Sequence, residues 1–240
     1  MTEVVSEDRQ PILEHLEEFR WRIVKIAGAV VVASLFALIF ANGLRELLEA
    51  PYKEVCPTCE LAQFGPTEQF SVLMRVALFG GIVLSSPVVL YQIWAFINPA
   101  LTPTERKWSI PIIGACVTLF VLGLGFGYWT MPRGLEFLLG IFDDVKTDLR
   151  ILDYLSFAVR YLLAFGLSFL YPVFLFAAAA AGVVTSEQLA RGRRWAVLVI
   201  VVVAAAITPS GDALTLALLS VPLYLFYEMT YWLVRLTLRK

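Results

Sequence analysis

Glu14, Glu17 and Glu18 fall at i, i+3, i+4 spacing within Pro11-Ile-Leu-Glu-His-Leu-Glu-Glu-Phe-Arg-Trp-Arg22, so a helix there presents one acidic face. A further carboxylate, Glu105, closes the Pro-stiffened turn Trp94-Ala-Phe-Ile-Asn-Pro-Ala-Leu-Thr-Pro-Thr-Glu-Arg106. Carboxylates accept guanidinium groups through paired, directional hydrogen bonds that an ammonium reproduces less well, so two such sites facing one compartment could hold two arginines. Each also has a plainer role: solvated pairing with Arg20 and Arg22 for the first, and capping of the next helix by Thr102-Pro-Thr-Glu105 for the second. Bond-breaking chemistry finds no matching residues. His15 is the single histidine and precedes the first apolar run. A metal-ligand set, a Ser-His pair or an Asp pair at membrane depth, and a Walker-type glycine loop are all missing, which disfavours hydrolase and nucleotidase readings. No metal or cofactor is expected.

The elements that must carry these residues are membrane spans. The chain of 240 residues is 59% hydrophobic and 16% charged, with mean hydropathy +0.77, against about 45–50% and about 25% in a soluble domain. Six apolar segments are candidate helices: Ile23–Phe40, stopped by Asn42-Gly43; Phe70–Ile97, carrying Pro87; Trp108–Met131; Tyr154–Val184, kinked by Pro172; Trp195–Ile207; and Ala213–Val234. Together they form a single six-span membrane domain over residues 1–240. The fifth is short, and Thr208-Pro209-Ser210-Gly211-Asp212 reads as a tight turn joining it to the sixth. The amphipathic segment before the first span is expected to lie on the membrane surface, with Leu13, Leu16 and Phe19 facing lipid. The first twenty residues are acidic and polar, unlike a cleavable signal sequence, so they are expected to stay in the mature chain.

An even number of spans puts both termini on one side, and 12 of the 19 Lys and Arg residues fall in the tails and loops of that side, making it cytoplasmic. The loop holding Cys56 and Cys59 is then extracytoplasmic, where a local disulfide or two unpaired thiols are the readings, and a metal site lacks a second ligand pair. Cys116, inside an apolar run, reads as packing. Arg75 and Arg160 lie within about two turns of their span starts and read as interfacial anchors. Glu228 is either a buried carboxylate or an interfacial one. A net charge of −1 argues against a nucleic-acid partner. A transporter would require midplane charges and an internal repeat, and neither is evident.

Seven segments in register, from about residue 10 to 239, resemble the TatC family. They are His15-Leu-Glu-Glu-Phe-Arg-Trp-Arg22, against the family's HLxELRxR; Pro66-Thr-Glu-Gln-Phe70; Pro87 through Phe96 with Pro99 through Arg106; Tyr154-Leu-Ser-Phe157; Phe165-Gly-Leu-Ser-Phe169; Thr208-Pro209; and Pro222 through Glu228. The resemblance implies six helices in a concave, cup-like bundle of the inner membrane with no enzymatic activity. It implies a receptor and core subunit of the twin-arginine translocase that binds twin-arginine signal peptides of folded cargo and uses the proton gradient. It also implies assembly with TatA- and TatB-type single-span subunits and with other copies of itself. Carried over residue by residue, it assigns Glu18 and Glu105 to the arginine pair, with Arg20, His15, Phe96 and Arg106 around them. Phe169, Leu170, Pro172, Thr208, Pro209, Asp212 and Glu228 fall to partner contact and assembly, and Pro51, Glu68, Phe70, Cys56 and Cys59 to structure. The chain departs from the family at Leu170, where a glutamate is usual before Pro172. The fourth span is thereby expected to lack its polar contact and to be lipid-compatible on all faces.

Overall fold

The computed structural model describes residues 10–97, 109–140, 149–180, 182–207 and 212–237. The described chain is helical: α1 Gln10–Ala37, a 3-10 turn Leu38–Phe40, α2 Ala41–Val55, α3 Pro66–Ile97, α4 Ser109–Leu139, α5 Ile151–Ser168, α6 Tyr171–Ala180, α7 Ser186–Arg191, α8 Arg193–Ile207 and α9 Ala213–Thr237. Among the described residues, five helical stretches are long and apolar enough to cross a bilayer: 16–55, 66–96, 111–139, 151–180 and 213–237. The chain is therefore a multi-pass membrane protein. At 15 residues α8 spans about 22 Å of a hydrocarbon core about 30 Å thick.

Three boundaries differ from the sequence expectation, each for a physical reason. The amphipathic N-terminal segment does not lie apart on the surface; it continues unbroken into the first span as α1. Asn42-Gly43 does not stop that span, because the helix only tightens into the 3-10 turn and resumes as α2. Both residues are exposed, and a glycine facing no neighbour costs a helix about 1 kcal/mol, which the packing of α2 outweighs. The fourth span breaks at Phe169-Leu170 rather than bending at Pro172, since Pro172 has no N–H for the Ser168 carbonyl and the preceding turn opens. The outer helices also run longer than expected, α4 to Leu139 and α9 to Thr237.

Pro51 sits inside α2 and removes the donor that the Leu47 carbonyl would receive. The Tyr128 hydroxyl of α4 donates to that carbonyl instead at 3.0 Å, and the Tyr154 hydroxyl of α5 donates to the Leu48 carbonyl at 2.6 Å. Around these ties lies a buried core of Leu48, Tyr52, Met131, Leu155, Tyr161 and Phe165. Close backbone approach holds the rest. A Cβ on Gly81 of α3 would lie 2.7 Å from the Ser34 backbone of α1, and one on Gly123 of α4 would lie 2.7 Å from the Phe165 carbonyl of α5. Small residues let lipid-embedded helices gain dispersion contact where no hydrophobic drive exists between them.

Beyond α2 the chain is tied twice to the segment before α5. Ala62 exchanges backbone hydrogen bonds with Leu149 and Ile151 at 3.0 and 3.1 Å, forming an isolated bridge opposite Arg150. Arg150 Nε donates to the buried Glu68 carboxylate at 2.8 Å, and the Phe64 N–H donates to the other Glu68 oxygen at 2.9 Å. Its hydrogen bond to Glu68 and the attraction of that charge raise the Arg150 pKa, so the guanidinium stays charged.

Cys56 and Cys59 form a disulfide with Cα atoms 5.3 Å apart, and Cys116 is a buried free thiol. Alkylation of the denatured, unreduced chain is expected to mark one cysteine, and three after reduction, read by intact mass. Three marks without reductant would overturn the pairing. Its stabilisation should stay below the roughly 3 kcal/mol of a loop of about 15 residues, because the loop closed here is far shorter.

Candidate functional site

Glu18 and Arg22 of α1 form a pair beside the end of α3. Glu18 Oε1 accepts from Arg22 Nη2 at 2.6 Å and from Arg22 Nε at 3.0 Å, an i, i+4 pair. Arg22 then reaches across to α3, donating to Gln92 Oε1 at 3.3 Å and to the Ala95 carbonyl at 3.1 Å. Ala95 lies in the last turn of α3, where carbonyls have no helical donor, so Arg22 caps that helix while orienting Glu18. Phe19 packs on Phe96 with ring centroids 5.4 Å apart. The Glu18 side chain remains 38% exposed and that of Arg22 20%. Arg20 lies over the Trp21 ring at 5.8 Å, and Leu16, Phe19 and Trp21 form an exposed apolar fringe.

Gln92 is the residue that sequence reasoning missed as part of this site. The i, i+4 spacing of Glu18 and Arg22 was readable, but the pairing with Gln92 spans 70 positions and leaves no local signal. His15 belongs to α1, and its side chain lies outside the described residues, as do Glu105 and Arg106.

The described residues assigned to assembly separate into three places. Phe169 and Leu170 occupy the break between α5 and α6, and Pro172 is the second residue of α6; all three are buried. Leu170 is 3% exposed and packs with Leu90, Cys116 and Phe120, so it faces the bundle interior rather than lipid. Glu228 is partly exposed and paired: it meets Arg193 Nε at 2.8 Å and accepts from the Tyr224 hydroxyl at 3.2 Å. Arg193 also stacks over the Tyr231 ring at 4.6 Å. Asp212 caps α9, accepting from the Thr215 N–H at 2.8 Å and from the Thr215 hydroxyl. Thr208 and Pro209 lie outside the described residues. Phe70 is exposed in the first turns of α3.

An apolar groove of about 890 Å³ runs between α1, α2, α3 and α4, with Phe40, Leu44, Phe79 and Tyr128 in its wall. Among the described residues no group of His, Cys, Asp and Glu could hold a metal ion.

Residues 14–222 match the family described as Sec-independent protein translocase protein (TatC). The TatC of Aquifex aeolicus (strain VF5) is 37% identical over 234 residues, covering 96% of this chain and 97% of the relative. The chloroplastic protein of Arabidopsis thaliana is 37% identical over 237 residues, covering 98% and 69%. A crystal structure of the twin-arginine translocase receptor TatC superposes with a TM-score of 0.79 at 37% identity, covering 92% of this chain and 98% of that one. A second, in DDM, gives 0.80 at 36% identity, covering 91% and 98%. The chain therefore belongs to the TatC family, a component of the Sec-independent protein translocase.

Proposed function

We propose that this chain is the receptor and core subunit of its translocase, binding twin-arginine signal peptides on the cytoplasmic face and assembling with single-span TatA- and TatB-type subunits. It acts by binding, as a non-enzyme of the inner membrane. In this reading it is one domain of six crossings, α8 being the short one, with both termini cytoplasmic; the Lys and Arg bias supports that orientation. The observation that carries the proposal is the fixed, part-exposed Glu18 carboxylate. Arg22 is anchored to Gln92 and to the end of α3, so Glu18 is held in place before a ligand arrives and little ordering entropy remains to be lost on binding.

Glu105, carried by the first cytoplasmic loop, supplies the second carboxylate for the arginine pair. His15, Arg20, Phe96 and Arg106 border the site, Phe96 through the Phe19 contact that closes its apolar side. Glu18→Ala and Glu105→Ala should each weaken binding of a twin-arginine peptide by about 1.5–3 kcal/mol, less where solvent screens the site. A twin-lysine peptide should bind more weakly to the unaltered chain. Fluorescence anisotropy with detergent-solubilised protein at low salt measures both effects. Unchanged affinity in the two single variants would overturn the assignment.

A further inference from the structure

Two arginines of the membrane-spanning helices have no role in the site above. Arg75 of α3 and Arg160 of α5 are both exposed, and each lies nine residues past its helix start, about 14 Å at 1.5 Å per residue. Measured from the apolar stretches that begin at Phe70 and Tyr154, they are about 8–9 Å inside the hydrocarbon region. They share one face. Arg75 donates to the Ser156 hydroxyl of α5, and Ser156 and Arg160 are i, i+4 neighbours on that helix.

Neither guanidinium meets a carboxylate among the described residues. Glu68, the nearest acidic residue along α3, is committed to Arg150. Asp153 is on the exposed stripe of α5 with Arg160, but seven residues away, about 10 Å nearer the helix start. Arg75 does not stretch fully back along its own helix, because its hydrogen bond holds it across the seam at the level of Ser156, five residues or about 8 Å into α5. The same stripe continues past the arginines as apolar surface, with Leu78 on α3 and Leu167 on α5 both exposed. Charged groups at this depth are costly, and they persist where they face a partner of opposite charge.

We infer that the Arg75, Ser156 and Arg160 face between α3 and α5 is a docking site for a single transmembrane helix carrying one carboxylate inside its apolar stretch. The inference rests on the proposal that the chain assembles with single-span subunits, and it names the surface and the recognising chemistry. The two guanidinium groups receive the carboxylate through charge-assisted hydrogen bonds, and Leu78 and Leu167 receive the apolar turns that follow. A lipid phosphate would have to sink about 8–9 Å below the starts of the apolar stretches to reach the same donors, whereas a side chain on a spanning helix is carried to that depth by its own backbone.

The test uses the full chain in nanodiscs of phosphatidylcholine and a synthetic apolar helix of about 20 residues with one Glu five or six positions from its extracytoplasmic end. Association is read by energy transfer between labelled helix and chain. The Glu helix should bind about tenfold tighter than its Gln counterpart. Arg75→Gln with Arg160→Gln should abolish the difference, and Arg160→Glu should shift the preference to a Lys helix, which also shows that the variant is folded. Twin-arginine peptide affinity should stay unchanged throughout, so failure here is separable from failure of the receptor proposal. Equal binding of Glu and Gln helices, or a Glu preference that survives the double substitution, would overturn the inference. Loss of the preference when phosphatidylglycerol is added would overturn it too, by assigning the face to a lipid headgroup.

Discussion

Gly81→Leu is expected to detach α1 from α3, lowering the thermal midpoint in detergent and reducing twin-arginine peptide affinity more than tenfold. A Cβ at this position would lie 2.7 Å from both the Cα and the N of Ser34, so the obstacle is backbone and cannot rotate away. Overpacking a core typically costs about 1–3 kcal/mol, and the upper end applies where only a helix shift relieves the clash. The consequence reaches the site because Arg22 of α1 hydrogen-bonds to Gln92 and Ala95 of α3 only while the two helices are in register. Gly28→Leu is the matched control, since nothing lies within 4 Å of a Cβ built there. Equal melting and equal affinity in the two variants would show that α1 has freedom the close contact denies it.

Leu170→Glu is the second large effect. Restoring the carboxylate usual in the family would place it among Leu90, Cys116 and Phe120, where Leu170 is 3% exposed. A buried charge without a partner destabilises by about 3–5 kcal/mol. Leu170→Gln should cost about 1–3 kcal/mol through its unsatisfied amide, and Leu170→Met less than about 1.5 kcal/mol. Thermal unfolding followed by size-exclusion chromatography ranks the three. A Glu variant as stable as the Met variant would mean that the pocket at the α5–α6 break is wet or can open.

The spans were legible because a run of about 20 apolar residues has few other uses, and the interior prolines marked where trouble would arise. What those prolines do was not legible. Pro51 is tolerated because Tyr128, 81 positions from Leu47, supplies the missing donor, and no local pattern encodes such a partner. Asn42-Gly43 misled because turn propensity is weak beside the packing of α2 on α4 and α5. In the candidate site the acidic residues and their pairing with Arg22 could be read from spacing, whereas the reach of Arg22 to Gln92 and Ala95 became visible only once α1 and α3 were side by side. Glu228 shows the same limit: its partner Arg193 lies 35 residues upstream and leaves no local signal.

The double tie near the helix starts, the Ala62 bridge and the Glu68–Arg150 pair, makes one end of α3 a pivot shared with α5. From Glu68 to Gln92 is 24 residues, a lever of about 36 Å. A swing of about five degrees about that pivot moves the far tip by about 3 Å, comparable with the hydrogen bonds that hold Arg22 there. Because α1 is seated on α3 through Gly81, it travels with the tip, so such a swing transports the Glu18 carboxylate without pulling its supports apart.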